Sequence, residues 1–114
     1  MVEKDEMDDS LNLNYTDTTD KIYLIKDFIQ NNLIGFKAMR DSDFLTAKKA
    51  YKKNLLISQR LEDEEIKSIE AQANYSIALY FNGKFLEAKR HLEEAYKLTV
   101  KISNNVKYSG LVIQ

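Results

Sequence analysis

Cysteine, proline and tryptophan are absent from this chain, and glycine occurs only three times in 114 residues. Without cysteine there are no disulfides, no thiolate nucleophile and no thiolate metal site, which fits a reducing compartment. Scarcity of proline and glycine removes the usual helix breakers and points to long helices joined by few irregular loops. The single histidine, His91, has neither a cysteine nor a second histidine with which to build a metal set. Long apolar runs are missing too. The longest are short pieces such as residues 76–81, far from the roughly 18–20 residues that span a bilayer. The opening MVEKDEMDDS is acidic and polar, the opposite of a secretion signal's basic start and apolar stretch. Nor does one sign of charge dominate: 17 basic and 18 acidic residues leave a net charge of -1, which recruits neither nucleic acid nor an anionic membrane. The expectation is a cytoplasmic, non-membrane protein without cofactors.

The residues present describe an all-α protein. A hydrophobic share of 44% and a charged share of 31% suit one small globular domain, near the lower limit for a self-sufficient core. Residues 1–18 carry many acids and few apolar groups and are expected to form a disordered tail. Thr18, Thr19 and Asp20 then offer helix N-caps, followed by Ile22, Ile25, Ile29, Leu33 and Phe36 at helical spacing up to about Arg40. Asp41, Ser42 and Asp43 supply a turn and the next N-cap. Behind them Phe44, Ala47, Tyr51, Leu55 and Ser58 share one face of a second helix. Acids at positions 62–65 suit the first turn of a third helix, which continues through Ile69, Ala73, Ser76, Ile77 and Tyr80 to a stop at Asn82-Gly83. A fourth helix is expected from about Lys84 to Ser103, with Asn104 and Asn105 interrupting it.

The sequence also repeats. Phe44-Leu45-Thr46-Ala47-Lys48-Lys49 matches Phe85-Leu86-Glu87-Ala88-Lys89-Arg90 at an offset of 85 − 44 = 41 residues. The same offset pairs Asp41-Ser42 with Asn82-Gly83, Gly35 with Ser76, Tyr51 with Leu92 and Leu61 with Ile102. Small residues at the crossing of two helices, and an aromatic opening the second helix of each pair, are what close helix packing requires.

With Gly35, Phe44, Ala47 and Tyr51 in one unit and Tyr75, Ser76, Gly83, Phe85, Ala88 and Ala95 in the next, the chain resembles the tetratricopeptide repeat family over about residues 28–105. The usual unit has about 34 residues. A spacing of 41 is similar to the long repeats of kinesin light chains and Pins-type adaptors. The first unit departs from the pattern by placing Asn54 where the second has Ala95. The resemblance implies two antiparallel helix pairs over residues 19–105, an α-solenoid fragment. Val106-Lys107, echoing Ile66-Lys67, would begin a third repeat or a C-terminal extension over residues 106–114. It also implies a scaffold or adaptor that binds a peptide or helix of a protein partner on its concave face, through Asn32, Phe36, Met39 and Arg40 of the first unit and Glu70, Ala73, Asn74, Ile77 and Tyr80 of the second. The alternative is a self-associating structural subunit of a larger cytoskeletal or ciliary assembly.

Other clusters point to ordinary surface and core. His91 is expected at the surface, and no base with a positioned partner is legible, so no enzyme activity is expected. Lys48, Lys49, Lys52 and Lys53 read as a solvated face ahead of an acidic docking site. Tyr75, Tyr80, Phe81, Phe85 and Tyr96 read as core and inter-helix packing. Phe36 and Ile77 stand where chaperone-binding members of the family have a central asparagine, so an apolar stripe is expected in place of a carboxylate clamp.

Overall fold

A computed structural model of the chain describes residues 18–61 and 64–109. Of the expected tail only Thr18 is described, and it is helical; residues 1–17, the Glu62-Asp63 break and residues 110–114 lie outside. Four helices follow in order: α1 (Thr18–Arg40), α2 (Phe44–Arg60), α3 (Glu65–Phe81) and α4 (Phe85–Ser109). No strand occurs among the described residues. Helices adjacent in sequence are adjacent in space, α1 on α2, α2 on α3 and α3 on α4.

The two short connections are one turn made twice. Both tightly turned residues have positive φ, 60° at Ser42 and 81° at Gly83, and they stand 83 − 42 = 41 residues apart. Around them the backbone bonds repeat in the same register. Ser42 N–H donates to Met39 O as Gly83 N–H does to Tyr80 O, and Asp43 N–H donates to Ala38 O as Lys84 N–H does to Leu79 O. This is the bond pattern of a helix C-terminus that reverses through one left-handed residue. Asp43 then caps α2, its carboxylate accepting the Thr46 N–H at 3.3 Å. Hydrogen bonding from the Thr46 side chain, and then from its backbone N–H, holds the Asp43 carboxyl below its usual range.

The core is built from Leu24 and Phe28 of α1, Ala47, Tyr51, Leu55 and Ile57 of α2, and Ala71, Tyr75, Ala78 and Leu79 of α3, closed by Ala88 of α4. Three expectations change here. The α1 stripe drawn through Ile22, Ile29, Leu33 and Phe36 faces outward, these residues being half or more exposed, while Leu24 and Phe28 pack inward. In α3 the buried line is Ala71, Tyr75 and Ala78, each two residues before Ala73, Ile77 and Tyr80 and so on nearly the opposite side of the helix. Asn104 and Asn105 do not interrupt α4, which passes through both to Ser109. Asparagine's modest helix penalty is outweighed once a helix is already propagating.

One polar network crosses the apolar interior. Asn54, fully buried, donates from Nδ2 to Phe28 O and to Asn32 Oδ1, both at 2.9 Å, and its own Oδ1 accepts from Asn31 Nδ2 at 3.1 Å. Asn32 Nδ2 goes on to Glu70 Oε2 at 3.0 Å. The departure at Asn54 is thus a three-helix tie, running from α2 through Asn32 of α1 to α3. At the matching place Ala95 gives α4 a purely apolar contact.

Candidate functional site

An apolar groove of about 520 Å³ runs between α3 and α4. Ser76, Ile77, Tyr80 and Phe81 form its α3 wall, and Phe85, Ala88, Lys89 and Leu92 its α4 wall. Lys89 is the one charged side chain among them. The α4 wall continues beyond the groove as an exposed stripe of Leu92, Tyr96 and Val100, spaced four apart along one helical face. Tyr96 is 70% exposed and Phe85 59%. Of the five aromatics expected in core and inter-helix packing, Tyr75 is buried, Tyr80, Phe81 and Phe85 make ring contacts between helices while staying half exposed, and Tyr96 faces outward.

Rings order the rim. Tyr80 meets Phe85 edge-on at 5.2 Å and Phe81 at 5.3 Å, bridging the two helices across the turn. On its other side Phe81 stacks on Phe44 at 4.9 Å and 23°, and Asn82 Nδ2 donates to Phe44 O at 2.8 Å. The end of α3 is therefore held to the start of α2, which fixes where the groove opens.

The groove has a counterpart in the first helix pair that is filled from within. There the Tyr51 ring lies against Gly35, so close that a Cβ on the glycine would come 2.4 Å from it, and it stands 6.1 Å from the Phe36 ring. Burial, with the Glu70 carboxylate adding to it, pushes the Tyr51 phenol up to about 12, so it stays neutral. In the second pair Ser76 and Leu92 replace Gly35 and Tyr51. Without the ring, space remains.

The nine residues expected on a concave face divide. Ile77 and Tyr80 line the groove, and Phe36 is half exposed beside Tyr51. Arg40 is at the surface, 3.7 Å from Asp41. Glu70 is exposed and holds Asn32, whereas Asn32 is buried and spends its amide on Asn54 and Glu70. Met39 packs against the core. Ala73 and Asn74 are half-buried, and the Asn74 Nδ2 is enclosed with no hydrogen-bond partner. Phe81, Phe85 and Leu92 are the groove residues that the sequence did not single out as a surface. Their helical spacing was visible, but a stripe of that spacing describes a covered face equally well.

His91 is not the surface residue expected. It is half-buried, 2.7 Å from Gln72 Oε1 through Nδ1 and edge-on to Tyr75 at 4.9 Å. Burial, then the Arg90 cation, lowers the His91 pKa. Lys48, Lys49, Lys52 and Lys53 are half-buried along α2. Among the described residues no group of three or more His, Asp or Glu could hold a metal ion, and no helix is long and apolar enough to cross a membrane. No family model, curated protein or solved structure matches the chain.

Proposed function

We propose that this chain is a helical-repeat module of the tetratricopeptide type that holds another protein, and that the groove between α3 and α4 is where it does so. The observation that carries the reading is the groove itself: apolar walls from two helices, one cation at the edge, and bulky side chains left half exposed. Exposed apolar surface of this kind marks an interaction site, and an amphipathic helix laid in a groove is a common way of filling one. Turns repeated at 41 residues support the repeat reading. Catalysis is not part of the proposal, because the groove brings together no acid, base or nucleophile with a partner to activate it.

The reading moves the contact surface from the full concave set to Ile77, Tyr80, Phe85 and Leu92. It also leaves the module in a protein assembly, with the cytoplasm and cytoskeleton as proposed settings. Replacing Ile77 and Leu92 together by glutamate places two charges in the groove at already exposed positions. Affinity capture with this bait should lose the partners retained by the parent chain, while circular dichroism shows unchanged helicity. Capture that survives the double substitution places binding elsewhere.

Self-association is the second reading, favoured by the other exposed stripe, Ile22, Ile29 and Leu33 on α1. Light scattering across a concentration series separates the two.

A further inference from the structure

The groove belongs to a larger end face whose internal copy is already occupied. Positions related by 41 residues fall into two sets. Ala47 and Ala88 are both buried, as are Asn54 and Ala95 and the small pair Gly35 and Ser76. These serve contacts inside each helix pair. Other positions switch. Tyr51 is 2% exposed but Leu92 is 55%, and Leu55 is 8% exposed but Tyr96 is 70%. The difference between the sets is the presence of α3 on the first pair and of no described helix on the second.

The same comparison shows what α3 brings to that seat. Ala71 and Ala78 are fully buried, yet Gln30 and Lys37, their copies on α1, are exposed. Their burial therefore comes from docking against the first pair. Three residues beyond Ala78, Phe81 stacks on Phe44, whose copy Phe85 stands exposed on the vacant face. Gln30 and Lys37 also make α1 a poor substitute for α3, since a long polar chain occupies each place where alanine permits close approach.

We infer that the α3/α4 end face is a docking site for a single partner helix with small residues seven apart and an aromatic three residues past the second, the pattern of Ala71, Ala78 and Phe81. The seat is less polar than its internal copy. Where the first pair offers Asn32 and Asn54, the second has Ala73 and Ala95, so the partner helix carries no acid at the place of Glu70. The inference rests on reading this face as a protein-binding surface, and it specifies the occupant.

The chain supplies its own probe. A fluorescent peptide of residues 64–83 carries the pattern. Gln72→Lys and Ser76→Glu in the peptide allow a side-chain lactam, the lysine amine condensing with the glutamate carboxyl, that keeps it helical at positions which face α4 in the parent and are free in a docked peptide. Titrating the full chain should give saturable anisotropy. Binding should weaken more than tenfold with Tyr96→Glu in the protein, and equally with Ala71→Arg and Ala78→Arg in the peptide. Leu92→Tyr should retain binding, because Tyr51 supports α3 in the first pair.

Absence of saturation at about 1 mM peptide, a Kd too weak for a specific seat, overturns the inference. So does binding insensitive to Tyr96→Glu, which would reflect exchange with the resident α3. A concentration-dependent dimer of the chain that Tyr96→Glu dissolves makes a second copy the occupant, and also overturns it. If the peptide fails while Ile77→Glu with Leu92→Glu still abolishes partner capture, the groove stands as the binding site and only this occupant falls.

Discussion

The two helix pairs have the same turns and opposite solutions to one packing problem. In the first, glycine at position 35 admits the Tyr51 ring, which fills the space between the helices. In the second, Ser76 takes the glycine's place, its hydroxyl donating to Ala88 O at 2.7 Å, and Leu92 leaves the space open. Those two side chains fill or leave the space within each pair, and α3 then covers the filled one while no described helix lies over the open one. The first pair adds the Asn54 tie to α3, whereas the second presents alanine at that register. One pair is covered by a neighbour within the chain, and among the described residues the other is not.

The sharpest break in this comparison is Asn54→Ala, which gives the first pair the residue of the second. It removes the donor to the Asn32 amide oxygen and the acceptor of Asn31 Nδ2 and leaves a cavity in the interior, while the Phe28 carbonyl keeps its bond within α1, and it should cost about 3 kcal/mol in urea unfolding. A loss below about 0.5 kcal/mol would mean that the network contributes only position.

Next comes Gly35→Ser. The added Cβ meets the Tyr51 ring, so the ring must shift, at a cost of about 2 kcal/mol. Combining it with Tyr51→Leu rebuilds the pair found in the second unit. The double variant should therefore be more stable than the sum of the singles allows, by about 1 kcal/mol in a double-mutant cycle. Strict additivity would show that the two sites do not exchange volume.

The smallest effects concern the turns, where the units differ by one residue in the same left-handed conformation. Ser42→Gly should stabilise by about 0.5–1 kcal/mol and Gly83→Ala should destabilise by about 1 kcal/mol, both read from denaturation midpoints. Nothing lies within 4 Å of a Cβ at Gly83, so its cost is one of backbone conformation alone.

Much of the helix layout was legible in the sequence because local chemistry specifies it. Asp43 and Gly83 mark their turns unaided, and the repeat at 41 residues aligned them. Helix faces were read less well. α1 carries apolar residues nearly all round, so Ile22, Ile29 and Leu33 and the packed Leu24 and Phe28 compete as stripes, and only the neighbouring helix decides between them. Asn32 looked like a surface amide because its partner, Asn54, is 22 residues away on another helix. Half of the groove was seen, in Ile77 and Tyr80. The α4 half was taken for core, since an aromatic at helical spacing says that it will be covered and does not say by what.

Packing in chain order also governs how this molecule assembles itself. When each helix rests mainly on the one before it, loop closure is short at every step, and folding can start at either turn and spread outward without waiting for distant segments to meet. Such a chain should reach its native state fast.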